Sequence, residues 1–477
     1  MRLSAKKTAL FLFYLCLLIF AGLQIYGAFA NYGNDSKKMF WNLDWNKPHM
    51  HVQIGENANS IAPETASRRP QHGYVTKRAG TIPQKATKTR TDVPFIPNWK
   101  DMESFRRDVE FLNHQGFIYN ELKFKPRLTA ESIVFLVQVH SRADQLQMQI
   151  DSFSKMRYIN ETLIIFSHDF YSQDVFDVIA KIDFCPYVQI FYPYAIQVYN
   201  NQFPGDDPKD CPRNLIKDEA RKRKCNNAEY QDPYGHYREA THAQLKHHWL
   251  WKLQFIFENC SLLRNFEGII FRLDDDYYLA EDTIDYLRKL DRQSRIQCPE
   301  CKMYIMGQST DYSHDEYKSG AAKKDYWWAG NGRGMAFRKD FWKLFKDCAK
   351  SFCLFDDCNW DWSLMHVTAT CIPGGLKILK PLGSRVFHLG SCKGFHQNRS
   401  CKTTDVLNNV LGILRRNRNY LFPENVNIPI DFPSRSTLDV PYGGWTDIRD
   451  HQMCLRIFNN ESLSTTDFRK IHQKLFR

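Results

Sequence analysis

The hydrophobic pattern divides the chain into three parts. An apolar run over residues 8–30 comes first, broken only by Gln24 and small residues. Residues 31–104 follow, rich in Asn, Ser, Thr, Pro, Gln, Lys and Arg, with no sustained apolar periodicity. Low hydrophobicity with high charge opposes a packed core, so this stretch reads as a spacer. From Phe105 the pattern becomes globular. Residues 105–117 carry Val109, Leu112 and Phe117, which predicts a helix on the domain edge. Residues 132–140, SIVFLVQVH, form a continuous apolar run, as a central parallel strand covered on both faces requires. Residues 142–156 read as a helix with Leu146, Ile150 and Phe153 on one stripe. Residues 162–169, TLIIFSHD, are a second buried strand. A helix over 172–182 is started by Ser172 as cap, and 187–194 is a third strand. This β-α-β-α-β order predicts an α/β fold with a doubly wound sheet. A long loop over 195–235 leads to a helix over 237–258. A strand then runs from Ile269 into Asp274, Asp275 and Asp276.

The first apolar run changes the compartment. It is preceded by Arg2, Lys6 and Lys7, and it exceeds the length of about 20 residues needed to cross a bilayer. A cleaved signal peptide is the rival reading, because Ala28-Phe29-Ala30 resembles a cleavage site. Its apolar region would usually span only about 7–15 residues, so an uncleaved anchor is the expectation. Residues 1–7 are then a cytoplasmic tail, 8–30 the span, 31–104 a stem and 105–477 the catalytic domain. Fourteen cysteines and five Asn-X-Ser/Thr triplets, at Asn34, Asn160, Asn259, Asn398 and Asn460, point to an oxidising compartment. Cys298-Pro-Glu-Cys301 reads as a short structural disulfide; a zinc half-site lacks a second Cys-X-X-Cys partner.

Composition excludes some classes. Hydrophobic residues are 43% and aromatics 14% of the 477, so a large core is affordable and global disorder is excluded. A formal charge of +12 raises nucleic acid as a partner. Much of the excess lies in Lys77-Arg78 and residues 85–90, and no nucleic-acid motif is present. Nucleic acid is therefore not an expected partner.

Candidate chemistry gathers at the strand ends, where open α/β sheets bind ligands. Gln138, His140 and Arg142 follow the first strand, and His168 and Asp169 the second. No Gly-X-Gly-X-X-Gly loop occurs there, which argues against a standard dinucleotide fold. Three adjacent carboxylates at a buried strand end call for a cation, and a hard divalent ion is the obvious one. A solvated acidic turn is the bland alternative for the same triplet. Residues 326–334, YWWAGNGRG, read as a sugar platform or a packed turn. Residues 355–362, FDDCNWDW, put Asp356, Asp357 and Asp361 beside tryptophans, where a carboxylate can serve as general base or as a helix cap. His388 closes a short apolar run and reads as structural or as a metal ligand. His247 and His248 are adjacent on a helix and point different ways, so both do not face one metal.

The segments LVQVHSR, IIFSHDF, FPGDDPKDC, YGHYREA, LKHHWLWKL, CNWDWSL and GGWTDIRDHQMC resemble the N-acetylglucosaminyltransferase II family, glycosyltransferase family 16. The resemblance runs from about Phe105 to the end. It implies a Rossmann-like GT-A fold on a type II Golgi membrane anchor, using UDP-N-acetylglucosamine and Mn²⁺. Asp276 and His388 would ligate Mn²⁺, with donor phosphates completing the shell. Gln138, Val139, His140, Ser141, Arg142 and Asp169 would hold uridine and ribose, Asp275 would sit near the ribose or donor sugar, and Gln244, Leu245, Lys246, His247 and His248 would line the donor site. Asp361 would be the general base. The implied reaction is an inverting β-1,2 transfer to the α-1,6-linked mannose of an N-glycan on a glycoprotein, which converts hybrid to complex glycans. A homodimer is compatible with the resemblance. The implied disulfides are Cys211–Cys225, Cys298–Cys301, Cys348–Cys371, Cys353–Cys454 and Cys392–Cys401. Cys185, Cys260 and Cys358 would be extra thiols. The chain departs from the family in having aspartates where glutamates usually open the acidic motif, and in lacking an arginine near Ser313. Two rivals are a related transferase with another mannose acceptor and an inactive lumenal sugar-binding protein.

Overall fold

Strand β1 (Ile133–Val139) is the axis of the fold. Its side chains alternate between two cores, as a strand buried on both faces must. Val134 and Leu136 join one apolar cluster, while Ile133, Phe135, Val137 and Val139 join the other. The computed structural model describes residues 97, 101–308, 314–390, 393–394, 397–398, 402–429, 431–433 and 441–461. The expected tail, the span 8–30 and nearly all of the stem lie outside these residues, as do Ser313 and the Cys392–Cys401 pair. Among the described residues no helix is long and apolar enough to cross a membrane.

The described residues fall within one compact unit, Ala86–Arg477. Its main sheet has the order β3-β2-β1-β4-β8-β6-β9-β7. Strands β2 (Leu163–His168), β3 (Tyr187–Phe191) and β4 (Ile269–Asp274) run parallel to β1. Strand β8 (Met335–Phe337) runs antiparallel to β4 and to β6 (Met303–Ile305). Strand β9 (Lys377–Pro381) is parallel to β6, and β7 (Ala322–Tyr326) closes the edge antiparallel. A separate two-stranded sheet pairs β5 (Tyr277–Leu279) with β10 (Val386–His388).

The predicted elements are present, with shifted ends. The first helix spans Met102–Gln115, capped by the Asp101 carboxylate on Ser104 N–H and stopped by Gly116 at φ 56°. Ser172 stands at the cap position of helix Gln173–Ile179 but makes no side-chain cap bond. The helix expected over 237–258 is Ala240–Gln254, continued by a π-helical turn, Phe255–Asn259. It is buried on nearly every side. Disulfides join Cys211–Cys225, Cys298–Cys301, Cys348–Cys371 and Cys353–Cys454, while Cys185, Cys260 and Cys358 are buried free thiols. The Cys-X-X-Cys element is thus a structural disulfide.

Candidate active site

The chain steps from β1 to β2 and β3 on one side, then places β4 on the other side of β1. A crevice opens where such a sheet reverses direction. Register puts Gln138 beside Asp274 and Val139 beside His168. The residues that follow these strands are therefore neighbours although far apart in sequence.

The three aspartates do three different things. Asp274 is held by the buried Arg272 and by Tyr277 Oη, which donates to it at 3.1 Å. Asp275 accepts from His140 N–H at 3.1 Å and pairs with Arg142. Burial is the main force pushing its carboxyl up to about 6, with Asp276 adding to it and Arg142 opposing. Asp276 meets Arg142 Nη1 at 2.7 Å and His388 Nε2 at 3.1 Å, both through Oδ2. Burial would raise its pKa, but His388 and Arg142 outweigh it and hold the carboxyl well below the usual range.

His388 reaches Asp276 because β10 pairs with β5 in register His388 to Tyr277. Gly390 makes the approach possible: a Cβ there would lie 2.2 Å from Asp276 Oδ2 and 2.7 Å from His388 Nε2. One carboxylate and one imidazole, open on one side, fit a divalent ion such as Mn²⁺, which favours oxygen donors and also accepts imidazole nitrogen. Among the described residues no group of three or more His, Cys, Asp or Glu could hold an ion alone. The protein's share of any such shell would be these two groups. The guanidinium of Arg142 at the same oxygen shows that the site's charge is matched by a cation.

A cavity of about 460 Å³ lies beside this cluster. Gln138, His140, Ser141, Arg142, Asp169, Gln244, Leu245 and Asp275 line it, all named from sequence, together with Phe170, Ile196, Gln197, Asn200, Thr241 and Asp274. Asp169 is the wall's fixed charge. His140 Nδ1 lies 2.6 Å from one oxygen and His248 Nδ1 3.0 Å from the other, while His248 Nε2 meets Ser167 Oγ at 2.8 Å. Burial raises Asp169, but His248 and His140 outweigh it and hold it low. Burial drives His248 down to about 4, which suits a neutral ring that donates to Asp169 and accepts from Ser167.

Four residues named for the donor site do not reach this cavity. Val139 is a core strand residue. Lys246 is fully buried, donates to Asp357 O at 2.8 Å, and lies over the Trp445 ring at 4.0 Å. Burial lowers its pKa to about 7. His247 Nε2 turns to Asp450, 2.9 Å away. His248 acts on the cavity through Asp169. The fault lay in treating five consecutive helical positions as one wall, since a helix turns about 100° per residue.

Asp361 lies on helix Trp360–Thr370, one residue past its start, and is partly open to solvent. Burial first, then the charge of Asp357, push its carboxyl up to about 7. Arg272 opposes the shift and ties the two halves of the site together. Its guanidinium covers the Trp360 ring at 4.6 Å while pairing with Asp274. Trp360 is fixed by stacking on Trp249 at 4.7 Å. The FDDCNWDW carboxylates separate cleanly. Asp356 accepts from Trp445 N–H at 2.9 Å, and Asp357 accepts from Asn359 N–H and Tyr442 N–H, each at 2.8 Å. Both are anchors to distant or turn backbone. Among the described residues Asp361 accepts only from the next residue, Trp362 N–H to Oδ1 at 3.0 Å, which leaves Oδ2 available as a base.

Sequence reasoning missed Arg272, Lys252, Asp450 and Arg238. Lys252 is buried against Gln138, and Arg238 donates to Asp450 at 2.6 Å. Arg272 had a usable signal: a cation inside an apolar strand run must find a partner when buried.

Residues 106–454 match the family model described as N-acetylglucosaminyltransferase II (MGAT2). Relatives named alpha-1,6-mannosyl-glycoprotein 2-beta-N-acetylglucosaminyltransferase include one from Sus scrofa, 40% identical over 73% of this chain and 78% of the relative. One from Homo sapiens is 40% identical over 68% and 72%, and one from Arabidopsis thaliana 29% over 69% and 75%. Among solved structures, S. aureus TarS 1-349 covers 60% of this chain and 72% of its own at 10% identity and TM-score 0.27, too loose to argue from. With its family model covering the strands, the aspartates, Asp361 and His388, the chain belongs to the N-acetylglucosaminyltransferase II family.

Proposed function

We propose that this chain is an inverting, Mn²⁺-dependent transferase. It moves N-acetylglucosamine from UDP-N-acetylglucosamine, in β-1,2 linkage, to the α-1,6-linked mannose of an N-glycan. Membership of the family supports the reaction, and the names of its relatives support the acceptor. The observation that carries the chemistry is the meeting of Asp276 and His388 beside a cavity of about 460 Å³, with Asp361, bonded among the described residues only through Oδ1 to the N–H of Trp362, linked to the cluster through Arg272.

The residues take separate roles. Asp169, with His140 and His248, presents a fixed acceptor to the nucleoside. Asp276 and His388 would hold the Mn²⁺, which when bound supplies positive charge to the departing diphosphate. Asp361 accepts the proton of the mannose 2-hydroxyl as that oxygen attacks the anomeric carbon. One base and one stabilised leaving group suffice for inversion, and no covalent intermediate on the enzyme is required. The GT-A character of the sheet, the type II anchor at 8–30 and the Golgi location belong to the same reading.

The full chain is to be incubated with UDP-N-acetylglucosamine, Mn²⁺ and a biantennary acceptor already extended on its α-1,3 arm. Linkage analysis is expected to find one new β-1,2 residue on the α-1,6-linked mannose. Transfer to another mannose would favour the related-enzyme reading, and no transfer with intact UDP binding would favour an inactive sugar-binding protein.

A further inference from the structure

Asp276 Oδ2 is engaged twice. His388 Nε2 stands 3.1 Å from it, and Arg142 Nη1 donates to the same oxygen at 2.7 Å. The other terminal nitrogen of Arg142 bonds Asp275, so the guanidinium spans both carboxylates. Asp275 and Asp276 are almost wholly buried, whereas the Arg142 side chain is 33% exposed and lines the donor cavity. The guanidinium therefore stands between the cavity and the oxygen that a metal would need. Other cations nearby are committed elsewhere: Arg272 to Asp274, and Lys252 to Gln138.

Two buried carboxylates without a counter-charge are costly, which explains why a cation waits there. A divalent ion held between Asp276 Oδ2 and His388 would sit within a few ångströms of the guanidinium bonded to that same oxygen, and at such distances in a shielded site their like charges repel strongly, so the two compete for the carboxylate. The planar fork of arginine fits phosphate oxygens as well as carboxylate oxygens. A nucleoside diphosphate in the cavity would offer an exchange partner, and the metal would then replace the lost charge at Asp276.

We propose that Arg142 is a resident counter-cation of the Asp275–Asp276 pair, displaced toward the diphosphate, so that metal uptake is conditional on nucleotide. This rests on the reading that Asp276 and His388 hold Mn²⁺.

The test is Mn²⁺ binding to the full chain, followed by the electron paramagnetic resonance of free Mn²⁺, with and without UDP. UDP is expected to tighten Mn²⁺ binding to the wild type by about tenfold or more, as a coupling between sites would. Arg142→Gln is expected to bind Mn²⁺ alone about tenfold more tightly than wild type, and to lose most of the UDP effect. Arg142→Lys keeps the charge without the fork and should fall between them. Should Arg142→Gln fail to fold, as judged by its melting transition, Arg142→Lys carries the comparison. Unchanged or weaker Mn²⁺ binding in these variants, with the UDP effect intact, overturns the proposal. No Mn²⁺ uptake by wild type even with UDP overturns the metal reading itself, and this proposal with it.

Discussion

In the proposed mechanism Asp361 removes a proton from a sugar hydroxyl, and its surroundings suit a base working near neutrality. Asp361→Asn is expected to lower kcat by about 10²- to 10⁴-fold while leaving UDP affinity in place. Near-normal turnover would remove it from the mechanism. The base is active when ionised, so kcat/KM should fall as pH drops below about 7. Asp357 raises Asp361, so Asp357→Asn should shift that acid limb to lower pH; a shift upward would show that some other group sets the limb. The sequence displayed the carboxylates of FDDCNWDW together and could not rank them. Their ranking depends on Tyr442 and Trp445, some eighty residues further along, whose backbone N–H groups absorb Asp357 and Asp356. The same holds for the triple aspartate: nothing in DDD says that Arg272 takes the first and Arg142 the other two.

At the scale of elements, Asp276 and His388, the proposed metal ligands, are brought together by a ladder of three residue pairs, Val386 to Leu279, Phe387 to Tyr278 and His388 to Tyr277. Gly390 lets the end of that ladder close on Asp276. Gly390→Ala is expected to push Asp276 and His388 apart and to weaken UDP-dependent Mn²⁺ binding by about tenfold or more, a loss near 1.4 kcal/mol. The variant's melting transition should barely move. Unaltered Mn²⁺ titration would show that the ladder tolerates the extra carbon. This pairing was invisible in sequence, because a three-residue strand carries almost no periodicity and its partner lies about a hundred positions away. The parallel strands β1 to β4 were legible because burial on both faces writes them as long apolar runs. Helix Ala240–Gln254 was legible as a helix but not by face. Burial on nearly every side removes the polar stripe that would have shown Gln244 and Leu245 facing the cavity and Lys246 and His247 facing away.

At the scale of the molecule, the last described helix, Ile448–Phe458, packs onto helix Ala240–Gln254. Asp450 binds Arg238 and His247, and Cys454 is bonded to Cys353. Burial would raise Asp450, but Arg238 and His247 hold it well below the usual carboxylate range. Its folded pKa is thus below its unfolded value, so its contribution is present above about pH 4 and is lost as pH falls further. The disulfides act through the unfolded chain, and each should count according to the loop it closes. Cys353–Cys454 spans 101 residues, Cys348–Cys371 spans 23, Cys211–Cys225 spans 14 and Cys298–Cys301 only 3. A loop near 100 residues is worth about 4–5 kcal/mol on this argument and one near 15 about 3 kcal/mol. Paired Cys→Ala replacements, compared by urea unfolding, should therefore destabilise in that order. Cys353→Ala with Cys454→Ala should cost most. It should also weaken UDP binding, because the helix that Asp450 clamps carries Gln244 and Leu245 into the proposed donor cavity. Equal losses for the 3-residue and 101-residue bridges would mean that local packing, not chain entropy, sets their worth. A destabilised 353/454 variant with unchanged UDP affinity would mean that the cavity wall stands without its C-terminal clamp.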